Sequence, residues 1–422
     1  MRVSLAFGET GLEVDLPDGR TTVITPRHPP PAPDGRAAVV AALRSPIGSR
    51  PLRELVRPGQ TVAISICDGT RPQPRRVVVP ALLEEIGDVV GLENVVVLVA
   101  TGTHRANTDE ELRAMLGDEV RSSVEVVNHD ARDAGAVRHV GVLGKGVPVW
   151  LNTRWLDADV RITTGFVEPH FFAGFSGGPK LVAPGLAGLE TVLTLHDATR
   201  IGHPDARWGV IEGNPVHDDV RAIARATGTH FALDVVLDAE KRIVQAFGGE
   251  LFAMHEAACA VARRVAMRPV AEPFDVVVTT NSGFPLDQNL YQAVKGISAA
   301  AQVVRPGGAI VCAAECRDGF PAHGSFRAEL EARPDPEEAF AAVMARERTV
   351  PDQWQIQILA GIRRRSRLLL YTAALADADL QRAGLDQVPD VGQAVAELLH
   401  AAGAAARVCV LPEGPQTIPY VA

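Results

Sequence analysis

The feature that most constrains this chain is a repeated pattern in which an apolar run of strand length breaks into small and polar residues, and a helix-like segment follows. TVAISICD, residues 61 to 68, ends on Asp68, and a helix is expected over 74 to 87. NVVVLVATGTH, residues 94 to 104, ends on His104 and Arg105. This alternation fits an open parallel α/β sheet, which presents its ligand groups at the carboxyl ends of its strands. Asp68, Arg71 and His104 are therefore expected to share one crevice. Further strands are expected at 123 to 128 and at 158 to 164, the latter feeding into a glycine-rich stretch, Glu168 to Gly185.

That stretch reads EPHFFAGFSGGPKLVAPG and holds a histidine, small residues and one lysine within thirteen positions. Gly174, Gly177 and Gly178 permit close backbone approach and positive φ, and such a loop can cradle a phosphate with its N–H groups. It is not a P-loop, because Pro179 and Leu181 flank Lys180 where glycine and Ser or Thr are required. No GxGxxG follows a strand, so a Rossmann dinucleotide site is not supported.

The remaining pattern fills two domains. Residues 2 to 25 suggest a small hairpin or meander, and the Pro-rich 26 to 35 an extended linker before a helix at 36 to 44. A helix is expected at 214 to 226, a strand pair at 231 to 237 and 242 to 247, and a long helix at 250 to 267. Pro269 and Pro273 then interrupt the pattern, which divides the chain into an N-terminal domain, 1 to 268, and a C-terminal α/β domain, 272 to 422. The second opens with FDVVVTTNSG (274 to 283), followed by a helix at about 288 to 302 and the strand GGAIVCAAEC. Helices at 325 to 346 and 351 to 360, a strand at 367 to 371, a helix at 391 to 402 and a strand at 406 to 411 complete it. That last strand is open to either domain. The fold class expected is α/β: two domains with mainly parallel sheets and an active-site cleft between them.

Composition narrows the function. A hydrophobic content of 46% over 422 residues is ample for real cores, and a net charge of −9 argues against a nucleic-acid partner. No apolar stretch is long enough to span a membrane, and the amino terminus lacks the features of a signal peptide, so a cytoplasmic protein is expected. The five cysteines contain no CxxC pair. Cys312 and Cys316 read as packed thiols.

Of twelve histidines, His104, His170 and His196 stand out because each lies beside a strand tip or the glycine-rich stretch. His129, His139, His203, His217, His230 and His255 are assigned surface or capping roles. No HExxH or two-His-one-carboxylate pattern supports a self-sufficient metal site. In the second domain, Tyr291 and Lys295 lie four apart and share a helix face with Gln292 at a strand-to-helix turn. Asp68 is open between orienting a histidine, meeting a cofactor and capping its turn. Trp354 is open between lining a site and packing.

Asp68-Gly-Thr-Arg71-Pro, Ala100-Thr-Gly-Thr-His104-Arg, the stretch from Glu168 to Lys180, His196, and Pro285-Leu-Asp-Gln-Asn-Leu-Tyr291-Gln292-Ala-Val-Lys295-Gly together resemble the lactate racemase family, in order and across both domains. The resemblance implies a nickel-pincer nucleotide, a pyridinium-3,5-bisthiocarboxylate-type mononucleotide that holds nickel through carbon and two sulfurs. It implies covalent attachment at Lys180, with His196 as the protein ligand to nickel. Asp68, Thr70, Gly177 and Gly178 are further candidates for cofactor contacts. His104 and His170 become the acid/base pair, and Arg71, Tyr291, Gln292 and Lys295 the substrate contacts. The implied activity is racemisation or epimerisation of a 2-hydroxy acid by reversible hydride transfer, after accessory proteins have made the cofactor. Two alternatives stay open on the residues alone. One is a histidine-based proton-transfer racemase or metal-assisted hydrolase without the pincer; the other is a non-catalytic phosphate-ligand or cofactor-binding protein.

Overall fold

The computed structural model describes residues 1–321 and 324–422. The chain divides into two compact units. The first comprises His28–His196 and Asp205–Val265; the second comprises Met1–Arg27, Asp197–Pro204 and Ala266–Ala422. The last break between the two units falls at Ala266. The first 27 residues, however, belong with the C-terminal residues, and so does the short segment after His196.

The first unit is built on a six-stranded sheet ordered Ile243–Gly249, Phe231–Leu237, Val160–Phe166, Val62–Cys67, Val95–Ala100, Glu125–Asn128. All neighbours are parallel except the pair Phe231–Leu237 and Ile243–Gly249. Val62–Cys67 is buried along its whole length, as an apolar run without alternation requires of a strand covered on both faces. Its sheet neighbours are the next strand in sequence on one side and a much later one on the other. Strand order therefore reverses beside it, the place where α/β sheets open a crevice at their carboxyl ends. Asp68 leaves one side of that point, and the glycine-rich loop leaves the other.

The second unit has a six-stranded sheet in which every neighbouring pair is parallel: Asp386–Gln387, Arg367–Tyr371, Val304–Ala313, Phe274–Thr280, Val408–Leu411, Thr21–Val23. The strand left open by the sequence, Val408–Leu411, thus lies in the C-terminal sheet. The expected hairpin forms between Arg2–Leu5 and Leu12–Asp15, and Thr21–Val23 continues past it to become an edge strand beside Val408–Leu411. The single helix expected over 325 to 346 is two, Phe326–Ala332 and Pro336–Met344, because Pro334 and Pro336 flank the N-cap Asp335. Among the described residues no helix is long and apolar enough to cross a membrane.

Candidate active site

Asp68 follows directly on the Val62–Cys67 strand and is almost fully buried. Its Oδ1 accepts from the Thr70 hydroxyl at 2.6 Å and the Thr70 N–H at 3.1 Å, so it caps its own turn. Its Oδ2 lies 2.6 Å from His104 Nδ1, so it orients a histidine as well. Burial alone would raise this carboxyl, but the hydrogen bond and charge of His104, with Arg71 and the Thr70 hydroxyl, hold it at about 2. A carboxylate only accepts, so Nδ1 of neutral His104 carries the proton and Nε2 keeps the lone pair. Nε2 is therefore the basic nitrogen of the neutral ring.

The turn between Asp68 and Arg75 is fastened from below. Gln73 accepts from Cys67 N–H and donates to the Thr164 hydroxyl, both at 2.9 Å. Buried Arg75 donates through Nη1 to the carbonyls of Asp68 and Arg71, each at 3.0 Å. Arg71 projects from this turn and donates to the Thr70 hydroxyl at 3.3 Å.

The glycine-rich loop is tied to the same strand ends. The Ser65 hydroxyl donates to Leu181 O at 2.8 Å, and Gly102 N–H to Gly185 O at 3.0 Å. Within the loop, buried Phe172 is a shared platform. His170 lies 4.5 Å from its ring and His196 5.2 Å, both edge-on, with Lys180 Nζ 5.7 Å above the centroid. His170 Nδ1 accepts from Ala173 N–H at 3.2 Å, so neutral His170 bears its proton on Nε2, the reverse of His104. His196 ends the Leu189–Leu195 helix, and its Nδ1 donates to Val192 O at 2.7 Å. This tautomer puts the lone pair on Nε2, the form in which a histidine ligates a metal. Among the described residues no group of three His, Cys, Asp or Glu side chains is arranged to hold a metal ion.

The glycines of the loop answer to the protein beneath them. A Cβ on Gly174, at φ +77°, would sit 2.1 Å from Val210 O; one on Gly177 would sit 2.7 Å from Asp234 Oδ2; one on Gly178 would meet the His255 ring at 2.5 Å. Gly178 N–H donates to Asp234 at 2.6 Å, and His255 Nε2 lies 2.8 Å from Ser176 O. The Gly178 amide, expected to face a phosphate, is engaged by a buried carboxyl.

His255 and His217, assigned surface or capping roles from sequence, are instead fully buried, with rings stacked 5.9 Å apart. Burial pulls His217 down to about 3 and His255 to about 4, so both are neutral near pH 7. His129 is also buried, its Nε2 3.0 Å from Ala187 O. Helical periodicity carried the signal for His255, which shares an apolar stripe with Leu251, Met254 and Ala258. For Asp234 the signal was a carboxylate in the middle of the apolar strand FALDVVL.

In the second unit the helix Leu290–Ala300 follows the tip of the Phe274–Thr280 strand and is capped by Asn289, which accepts from Gln292 N–H at 3.0 Å. Lys295 Nζ donates to Gln292 Oε1 at 2.8 Å, so these two form one patch. Trp354, nearly buried, donates through its indole nitrogen to Tyr291 Oη at 3.1 Å, and Gln355 donates to Tyr291 O at 2.7 Å. Trp354 is thus the support of Tyr291. Buried Asp287 fastens the tip by accepting from Gly8 N–H at 2.8 Å and Glu315 N–H at 3.0 Å.

Comparison with known proteins places the chain among related sequences and structures. The lactate racemase N-terminal domain family matches residues 7–209, and the lactate racemase C-terminal domain family matches residues 270–418. A lactate racemase of Thermoanaerobacterium thermosaccharolyticum is 35% identical over 421 residues, covering 99% of this chain and 98% of that protein. One from Lactiplantibacillus plantarum is 36% identical over 379 residues, 89% of each. The solved lactate racemase apoprotein of T. thermosaccharolyticum superposes with a TM-score of 0.94 at 34% identity, covering 99% of this chain and 100% of that one. Matched in order by both domain families along most of its length, this chain belongs to the lactate racemase family of isomerases.

Proposed function

We propose that this enzyme racemises a 2-hydroxy acid, with lactate, named for its relatives, as the first candidate, and that it does so with a nickel-pincer nucleotide attached at Lys180. The observation that carries the reading is the Phe172 platform, around which His170, His196 and Lys180 converge. The residues present fit such a cofactor. His196 offers one imidazole nitrogen in the ligating tautomer and, among the described residues, stands in no group of three metal donors, so a group that brings its own donors matches this set. Lys180 offers the amine for attachment. When bound, the cofactor supplies a reversible hydride acceptor, which avoids removing a weakly acidic α-hydrogen as a proton.

The protein residues supply the rest. His104 takes the hydroxyl proton at Nε2 while Asp68 stabilises the imidazolium that results; His170 donates a hydrogen bond through Nε2–H to the oxygen of the opposite enantiomer, whose hydroxyl proton returns from the His104 imidazolium through solvent. Positioned acid/base groups of this kind contribute roughly 10²- to 10⁴-fold each. Arg71 and Lys295 pair with the substrate carboxylate, Arg71 through its two-pronged guanidinium. Tyr291 and Gln292 orient the hydroxyl or keto oxygen.

The test is peptide mass and nickel quantitation on protein co-produced with the accessory cofactor-synthesis proteins, followed by a racemisation screen over 2-hydroxy acids. A mass increase on the Lys180 peptide, nickel near one per chain and racemisation are the expected results. Activity in protein whose Lys180 is unmodified would overturn the reading.

A further inference from the structure

Under the lysine loop lies a buried carboxyl that the chemistry above does not use. Asp234 is fully buried in the Phe231–Leu237 strand, and its Oδ2 accepts Gly178 N–H at 2.6 Å. Gly178 stands two residues before Lys180, whose own N–H donates to Gly177 O at 3.2 Å. Asp234 also sets the limit on Gly177, where a Cβ would fall 2.7 Å from its Oδ2. One carboxyl therefore fixes both glycines from which the lysine turn is made. A neutral asparagine would accept the same bond at less desolvation cost, so the choice of a carboxyl here is not explained by packing alone. An ionised acceptor makes the shorter and stronger bond.

We propose that Asp234 is a positioning residue for Lys180, its carboxylate holding the backbone turn from which the lysine projects. The inference rests on the reading of Lys180 as the attachment residue. The groups facing the carboxyl are the N–H groups of Gly178 and Gly165, the Cys67 thiol two strands away across the sheet, and the Cys259 thiol with His255 on the Leu251–Ala266 helix. Burial pushes both thiols up, Cys67 to about 12, and holds His255 down at about 4, so these three stay neutral near pH 7. Burial pushes Asp234 itself up to about 7, against the pull of the two N–H groups, so the hold on Gly178 strengthens as pH rises through neutrality.

The experiment compares wild type, Asp234→Asn and Asp234→Leu. Amide hydrogen exchange of the loop is followed on the apoprotein from pH 5.5 to 8.5, and Lys180 adduct yield is measured after co-production with the cofactor-synthesis proteins. In Asp234→Leu, Gly178 exchange should rise about tenfold or more and adduct yield should fall several-fold. Asp234→Asn should restore both near pH 6 but lose the gain in Gly178 protection that wild type shows between pH 6 and 8. Wild-type protection and adduct yield in the folded Leu variant would overturn the proposal, as would an unaltered pH response in the Asn variant. If wild type itself carries no adduct, the reading of Lys180 fails, and the exchange measurements still decide what Asp234 does to the loop.

Discussion

At His104 the decisive atom is the proton on Nδ1, because its partner determines which ring nitrogen is basic. Asp68 can only accept, so it enforces one tautomer. In Asp68→Asn the amide can present an N–H instead and turn the ring into the other tautomer, removing the base from Nε2. kcat should fall by roughly 10²- to 10⁴-fold while Lys180 adduct mass and nickel content stay at wild-type levels. Loss of the adduct in this variant would make Asp68 a cofactor residue instead. The sequence singled out His104, His170, Lys180 and His196 because each follows a strand tip or lies in or just beyond the glycine-rich stretch. It left Asp68 open between three roles, because the spacing of Asp68 and Thr70 shows a turn but not the histidine 36 residues away. The buried histidines were misplaced for a related reason: a polar residue type outweighed the apolar helical stripe on which His255 lies.

Among the elements, the Leu290–Ala300 helix owes its position to one missing side chain. A Cβ on Gly296 would stand 1.9 Å from Thr280 O, at the end of the strand the helix packs on, and Gly296 N–H donates to Asn281 Oδ1 at 3.1 Å. Gly296→Ala must lift the helix from that strand end and carry Tyr291, Gln292 and Lys295 with it. Because these residues are assigned to substrate, KM for the 2-hydroxy acid should rise at least several-fold, with Lys180 modification unchanged and stability lowered by about 1 to 3 kcal/mol. Steady-state kinetics with adduct mass and thermal unfolding would check it; an unchanged KM would detach this helix from substrate binding. Elements of this kind were legible because strands covered on both faces read as unbroken apolar runs. The ribbon Val137–Leu143 and Val147–Asn152 was missed because only some of its residues are buried, and its register shifts between His139 and Gly141.

For the whole molecule, buried ionisable groups oppose one another in their effect on stability. His217 and His255, depressed to about 3 and 4, take up protons on unfolding below pH 6.5, so their contribution is present above 6.5 and is lost as pH falls. Asp234, raised to about 7, is protonated in the folded state and ionised in the unfolded state between about pH 4 and 7. Its contribution is therefore present at low pH and lost as pH rises. Across pH 4 to 6.5 the histidines outnumber the carboxyl, so stability should rise with pH, each uncompensated proton amounting to about 1.4 kcal/mol per pH unit. Removing the opposing group in Asp234→Asn should make that slope steeper. Denaturant midpoints at several pH values would test it, and parallel slopes would place Asp234 at its ordinary acidity.

The architecture of the two units was legible from strand and helix patterns, but the assignment of the first 27 residues was not, since a three-residue edge strand carries no mark of its partner. That pairing ties an early event in the protein's synthesis to a late one. Thr21–Val23 leaves the ribosome nearly 390 residues before Val408–Leu411, the strand it lies beside. At ordinary elongation rates it waits on the order of 20 to 80 s for that partner. Through that interval the strand has no sheet partner, and the second sheet is complete only when its earliest-made and latest-made strands meet.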